Sequence, residues 1–400
     1  MRKDWEYKKL GEVATFNRGL TYSGKDEVDF SENIVLRSNN IDIDSNTLNL
    51  NELKYISDEI IIPKDKRLKR NSIFICMSNG SKQHLGKVAF IDKDYSYAFG
   101  GFMGLISPEE KSLIPKFLYY FLCSTKFKLF LTIIGNGANI NNIKFSDISK
   151  VNLPLPQKST QLSIVAELDK INELIQLKKQ QLKDYDQLAQ SIFYEMFGDP
   201  VENEKGWEVK KLGEICSKIG SGATPKGGNN SYKDTGISLI RSLNVHNNLF
   251  KYEDLAHIDD SQATALNNVI VKEKDILLNI TGASVARCCI VPNDVLPARV
   301  NQHVCIIRIA NESDSFYLNR LFTNDSYQSK LLALSKSKAA TREALPKTIV
   351  ESLSVPLPPL PLQQQFAARI EAIERQKQQV SETIKDLETL LASRMQYWFD

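Results

Sequence analysis

Along two stretches of the 400-residue chain, apolar residues recur at alternating steps of four and three. The first seam runs Ile164, Leu168, Ile171, Ile175, Lys178, Leu182, Tyr185, Ala189, Ile192 and Met196, with Lys178 its one polar member. Displaced by 202 residues, the same steps fall on Phe366, Ile370, Ile373, Lys377, Val380, Ile384, Leu387, Leu391, Arg394 and Trp398. A spacing that averages 3.5 residues returns to one helix face, and neither run is interrupted by proline or glycine. The pattern therefore predicts two coiled-coil helices of about five heptads each. Either helix alone would leave a bare apolar stripe, so pairing with the other covers both.

The shared register is one sign of a wider self-similarity. Trp5-Glu6-Tyr7-Lys8-Lys9-Leu10-Gly11-Glu12-Val13 returns as Trp207-Glu208-Val209-Lys210-Lys211-Leu212-Gly213-Glu214-Ile215. Leu36-Arg37-Ser38-Asn39-Asn40 matches Ile240-Arg241-Ser242-Leu243-Asn244, and Ser72-Ile73-Phe74-Ile75 matches Asp275-Ile276-Leu277-Leu278. Val151-Asn152-Leu153-Pro154-Leu155-Pro156 matches Leu353-Ser354-Val355-Pro356-Leu357-Pro358. The chain is thus two copies of one unit, diverged in the middle and alike at the ends. Short β-branched and aromatic runs, such as Ser72 to Met77 and Gly86 to Ile91, read as strands between turns. Pro115 to Leu131 and Ser315 to Leu334 have helical spacing. The prolyl stretches at Leu153 to Pro156 and Val355 to Pro361 are expected to stop regular structure before each long helix.

The predicted fold is mixed α/β (α+β), with a pseudo-two-fold internal repeat. Similar globular domains span 1–156 and 201–358, and two long antiparallel coiled-coil helices, 157–200 and 359–400, join them. Duplication gives one chain the geometry that a homodimer would otherwise supply.

Net charge is only +3 but unevenly spread. From Gln157 to Asp199 there are five basic against seven acidic residues, and from Gln363 to Asp400 five against six. The helices are acidic and the globules carry a basic surplus of about six, the distribution expected if the globules grip a polyanion. The amino terminus lacks the apolar core of a secretory signal, and the apolar runs are too short to span a bilayer, so a cytoplasmic protein is expected. Cys76, Cys123, Cys216, Cys288, Cys289 and Cys305 include no C-x-x-C pair, and with no histidine at zinc-ligand spacing they read as reduced, buried thiols, with no metal.

Catalytic signatures are missing. There is no Asp/Asn-Pro-Pro-aromatic loop for adenine methylation, since Asp199-Pro200-Val201-Glu202 lacks the second proline and the aromatic residue. Ala98-Phe99-Gly100-Gly101-Phe102-Met103-Gly104 does not meet G-x-G-x-x-G and reads as a tightly packed turn. Phosphate-loop, zinc-protease and nucleophile-elbow motifs are also lacking. The expected role is binding, with chemistry done by partners.

W-E-x-K-K-L-G-E at the head of each half, L-P-L-P and V-P-L-P-P-L-P-L-Q-Q-Q before each helix, and Met196-Phe197-Gly198-Asp199-Pro200 together resemble the specificity (S) subunits of type I restriction-modification systems. The resemblance covers essentially the whole chain. It implies that each globule is a target-recognition domain reading one part of a bipartite double-stranded DNA site. It further implies that the paired helices fix the spacing and bind two modification (M) subunits, which use S-adenosylmethionine. Restriction (R) subunits would cleave with ATP and Mg. A helix from Gln161 to Phe197 would be ~55 Å long at ~1.5 Å per residue, enough to hold readers over half-sites ~34 Å apart.

Arg suits guanine, and Asn or Gln suits adenine, so polar residues on loops after strands are the candidate readers. These are Arg18, Lys25, Arg37, Ser78, Asn79, Lys82 and Gln83 in the first domain, and Lys226, Arg241, Asn244, Thr281, Ser284 and Arg287 in the second. Asn139 and Asn141, with Thr341 and Arg342, occupy matching loops further along. Two rival readings remain: an enzyme with an unrecognised methyltransferase or nuclease site, which would transfer methyl groups unaided, and a coiled-coil scaffold for protein or RNA, which would show no salt-dependent grip on duplex DNA.

Overall fold

The computed structural model describes residues 5–81, 84–135, 142–225, 227–310, 313–336 and 343–400. The chain divides into two units, residues 1–179 with 382–400, and residues 180–381. The first contains β1 (Glu6–Lys9), α1 (Leu10–Val13), β2 (Ala14–Arg18), β3 (Glu27–Val28), β4 (Asn33–Leu36), β5 (Lys54–Ile56), β6 (Ser72–Cys76), β7 (Val88–Ile91), β8 (Ala98–Phe99) and β9 (Met103–Pro108). There follow α2 (Pro115–Cys123), α3 (Thr125–Gly135), α4 (Phe145–Ile148), β10 (Asn152–Leu155) and the start of α5 (Lys158–Phe197). The second unit takes the rest of α5, then β11 (Glu208–Lys211), α6 (Leu212–Ile215), β12 (Cys216–Ser221), β13 (Ile237–Ile240), β14 (Val245–His246), β15 (Leu249–Phe250), β16 (Ala256–Ile258) and α7 (Asp260–Ala265). It continues through β17 (Ile276–Asn279), β18 (Cys288–Ile290), β19 (Ala298–Val300), β20 (Val304–Ile309), α8 (Ser315–Phe322), α9 (Asp325–Ser335), α10 (Lys347–Glu351), β21 (Ser354–Leu357) and the first part of α11 (Leu360–Phe399).

Both units repeat one topology. An antiparallel sheet of order β2-β9-β6-β7 in the first corresponds to β12-β20-β17-β18 in the second. A further sheet, β3-β5-β4-β8, has its counterpart in β16-β13-β19, with β4 parallel to β8 and β13 parallel to β19. The apolar runs of β6 and β17 are buried on both faces, because consecutive side chains feed different cores. Ile73 and Ile75 pack with Phe117 and Phe121 of α2, while Phe74 packs with Phe99 and Leu105. Ile276 and Leu278 likewise separate from Leu277.

The prolyl stretches do not stop regular structure. They form β10 and β21, which pair antiparallel with β1 and β11, so that Tyr7 faces Pro154 and Val209 faces Pro356. A two-stranded ribbon tolerates proline because its missing N–H can lie on the unpaired edge. The motifs that bracket each globule in sequence are therefore partners in space. The expected helices at Pro115 and Ser315 are each split in two. Ser124 Oγ accepts from the Phe127 amide at 3.3 Å and Asn324 Oδ1 from the Ser326 amide at 3.0 Å, capping new starts for α3 and α9. No single helix among the described residues is long and apolar enough to cross a membrane; α2 and α3 are apolar together but bend by 62° at their junction.

Two fully buried glutamines fix where the long helices begin. Gln161 Oε1 accepts from the Ile114 amide at 2.8 Å, and its Nε2 donates to the carbonyls of Ser112 at 3.0 Å and Pro156 at 2.9 Å. Gln363, the same position in the second repeat, accepts from the Asp314 amide at 3.0 Å and donates to the Pro358 carbonyl at 2.7 Å.

The long helices pack together within each unit, running in opposite directions. In the first, Glu167 meets Arg394 and Lys179 meets Glu388; in the second, Asp186 meets Lys377 and Phe193 meets Phe366. Ile164, Leu168, Ile171, Ile175, Phe366, Ile370, Ile373, Val380 and Ile384 are buried, and Leu182, Tyr185, Leu387 and Leu391 are half-buried. Towards each carboxyl end burial moves one position on, so that Phe193, Phe197 and Phe399 lie deeper than Ile192, Met196 and Trp398. A helix keeping 3.6 residues per turn drifts ~20° per heptad from a seven-residue repeat, and four heptads of drift come close to one residue.

That drift delivers the end of each helix to a globule. Phe399 sits with Phe117 and Phe121 at ring distances of 5.2 and 6.0 Å, and Trp398 stacks on Trp5 at 6.3 Å. Phe197, its equivalent in the first repeat, sits with Tyr317 at 4.7 Å and Phe366 at 5.2 Å. Phe399→Ala is expected to lower the unfolding free energy by about 3–5 kcal/mol, whereas Leu177→Ala, at a 57% exposed position, should change it by less than ~0.5 kcal/mol. Denaturant titration followed by tryptophan fluorescence distinguishes the two.

Candidate nucleic-acid interface

In the first unit, four of the expected readers line one cleft of about 1090 Å³: Arg18, Arg37, Ser78 and Asn79, together with Gly101 and Phe102. Arg37 follows β4, where the strand breaks into a tight turn over Ser38–Asn40. Buried Asn40 makes that turn, its Oδ1 accepting from the Arg37 amide at 2.8 Å and its Nδ2 donating to the carbonyls of Asn49 at 3.0 Å and Glu52 at 2.8 Å. Arg18, at the end of β2, donates through Nε to the Gly101 carbonyl at 3.2 Å. Asn79 donates to Ser38 Oγ at 2.9 Å, tying the loop after β6 to the loop after β4. Lys25 is exposed on the turn Gly24–Asp26, whose Gly24 reaches the cleft wall.

The second unit repeats the arrangement at Arg241. Asn244 Oδ1 accepts from the Arg241 amide at 3.0 Å and its Nδ2 donates to the carbonyls of Lys251 at 2.9 Å and Glu253 at 3.2 Å. Fully buried, Asn244 spends its hydrogen-bonding capacity inside the domain, as Asn40 does. Arg241 lies 5.2 Å from the Tyr232 ring and also donates to the Asp254 carbonyl. In both arginines Nε is buried without a hydrogen-bond partner among the described residues.

Thr281 corresponds to Ser78 and shares a 2.6 Å hydrogen bond with His303 Nδ1. Ser284 lies in the turn Gly282–Ser284, and its carbonyl accepts from the Arg287 amide at 3.3 Å. Burial, then the charges of Arg287 and Lys251, hold the His246 pKa below the ordinary histidine value, which favours its neutral form. Lys82, Gln83, Asn139, Asn141, Lys226, Thr341 and Arg342 lie outside the described residues.

Sequence reasoning missed Phe102, Gln302 and His303, whose placement beside these residues depends on strand register. The glycine-rich run turns at Gly101 and Phe102 between β8 and β9, and its close packing falls in β9, where a Cβ on Gly104 would meet the Phe145 ring at 2.7 Å. The six cysteines are free thiols. Burial pushes Cys123, Cys216, Cys289 and Cys305 up to about 12, which keeps them protonated and unreactive.

The family described as the type I restriction modification DNA specificity domain matches residues 2–184 and again 204–389. The chain is 24% identical to the type I restriction enzyme StySPI specificity subunit of Salmonella potsdam, over 92% of this chain and 82% of that protein. It is 22% identical to the EcoKI specificity subunit of Escherichia coli K12, with the same coverage. Identity to the MjaIX specificity subunit of Methanocaldococcus jannaschii is 26%, over 93% and 87%. Among solved structures, a chain from work on complex assembly and conformational transition of the type I R-M system superposes with a TM-score of 0.58 at 19% identity, covering 100% of this chain and 98% of that one. The S subunit of a type I system from M. genitalium gives 0.54 at 13% identity, covering 98% and 95%.

Asn40→Ala and Asn244→Ala each leave two carbonyls without a donor and are expected to cost about 1–3 kcal/mol. Denaturant titration should show that loss.

Proposed function

The chain belongs to the family of type I restriction-modification DNA specificity subunits, and from this premise we propose how its parts divide the work. Each domain reads one half of a bipartite duplex target. Helices α5 and α11 pair as an antiparallel coiled coil that sets the spacer and docks two modification subunits. Those subunits bind S-adenosylmethionine and methylate adenine; restriction subunits use ATP and Mg. The chain itself binds no cofactor, supplies no catalysis and acts in the cytoplasm.

One observation carries this reading: the family match falls once on each repeat, and each repeat places an arginine on the same turn, held by a buried asparagine. Arginine is suited to phosphate and to guanine alike. The basic surplus of the globules over the helices supports the same division.

Exchanging residues 1–150 for the corresponding part of another such subunit is expected to change one half of the recognised site and leave the other as it was. Mapping methylated adenines in a host genome reads both halves at once, and a simultaneous change in both would refute the two-reader assignment. A second expectation concerns length. Inserting four residues near Lys178 and four near Val380 adds about 6 Å at ~1.5 Å per residue and rotates the apolar seam only modestly. At ~3.4 Å per base pair the preferred spacer should grow by one or two pairs. Binding should weaken, because each pair turns the second half-site by roughly 35°. Methylation of duplexes differing only in spacer length measures the shift.

A further inference from the structure

The two domains share one scaffold, and one turn on it differs in chemistry between them. Cys76 faces Met103 in the β6–β9 ladder as Asn279 faces Val304 in β17–β20. Just before the last strand, the Phe102 carbonyl accepts from the Met77 amide at 2.9 Å, and the His303 carbonyl from the Ile280 amide at 3.0 Å. Gly100-Gly101-Phe102 therefore occupies the place of Asn301-Gln302-His303. The backbone is pinned alike in both: Gly100 N donates to the Leu36 carbonyl at 2.9 Å, and Asn301 N to that of Ile240 at 3.1 Å. A glycine backs each turn closely. A Cβ on Gly19 would lie 2.0 Å from the Gly100 oxygen, and one on Gly222 would lie 1.8 Å from the Val300 oxygen. No side chain fits there, so backbone lies directly on backbone behind each turn.

On this common backbone the side chains diverge. Phe102 is 70% exposed and lines the cleft beside Arg18 and Arg37. In the second domain, His303 is hydrogen-bonded to Thr281, and exposed Gln302 places its Nε2 3.1 Å from His303 Nε2. The surroundings are conserved between repeats, with Arg37 answering Arg241 and Ser78 answering Thr281. A ring left in water in a cleft that two arginines also line contributes little to the core, so its apolar character fits a contact made outside the domain.

Resting on the DNA-reading function above, we propose that this turn tells the two half-sites apart, and that Phe102 reads the 5-methyl group of a thymine in the first half-site. The thymine methyl is the apolar feature that the major groove offers, and phenylalanine is among the side chains that contact it. Gly100 and Gly101, without side chains, let the turn approach base edges closely. The polar counterpart, Gln302 with His303, is hydrogen-bonded to Thr224, to Thr281 and within the pair, and offers no apolar contact at the same place, which would make the two half-sites unlike.

The test uses the full chain assembled with its modification subunits. Thymines of the mapped first half-site are replaced one at a time by uracil, which differs only by the methyl group. One replacement is expected to weaken binding three- to fivefold, the scale of one buried methyl group. Phe102→His should bind the thymine and uracil duplexes equally, Phe102→Leu should keep the difference, and both should leave preference at the second half-site intact. Phe102 is exposed, so assembly on a sizing column should be normal. Sequence-specific binding that is indifferent to every uracil replacement, a first half-site without thymine, or the same uracil penalty in Phe102→His would overturn the assignment of Phe102 alone. Failure of the wild-type complex to prefer its mapped site over random duplex would instead remove the DNA-reading function on which it rests.

Discussion

Much of this structure depends on where two phenylalanines come to rest. Phe399 closes the aromatic core of the first unit against Phe117 and Phe121, and Phe197 closes that of the second against Tyr317 and Phe366. Each therefore sits at the end of the helix that follows one repeat and in the core of the other. Neither core is complete within its own stretch of sequence. The first lacks its last ring until Phe399 has been made, and a contact separated by more than 270 residues is slow to form because a long loop must close first.

Around these closures the repeats use the same devices. β1 pairs with β10 and β11 with β21, drawing the two ends of each globule together, and Gln161 and Gln363 then tie the helix starts to the loops before α2 and α8. Buried amides of this kind are costly unless every group is satisfied, and here the acceptors and donors are supplied by backbone. With the frame held this firmly, loops after β4, β6 and β8 can carry different side chains without altering the fold. Arg37 and Arg241 stay the same; Phe102 and His303 do not.

Much of the architecture was legible in the sequence because it rests on periodicity and repetition. The seam from Ile164 and its copy from Phe366, the strands at Ser72 and Asp275 and the duplicated head motifs are patterns that a single chain displays against itself. Other features rest on three-dimensional register and were not legible. Drift between 3.6 and 3.5 residues per turn moved burial from Ile192 and Met196 to Phe193 and Phe197. Pro154 and Pro356 read as breakers because their edge position depends on a partner about 150 residues away. Asn244 looked like a reader by type, yet its burial commits it to the turn that positions Arg241. Phe102 looked like part of a packed turn, and only the strand register shows that its exposed ring lines the cleft.

The central claim is that two domains of one scaffold present different chemistry to one duplex. The most direct measurement is the methylation motif written by the complex containing the unaltered chain, read from a host genome by single-molecule sequencing and compared with a strain lacking the chain. The account predicts one bipartite motif that depends on the chain, with two unlike halves separated by a fixed run of unspecified bases. A palindromic motif, a single uninterrupted motif, or a methylation pattern unchanged by removing the chain would contradict it.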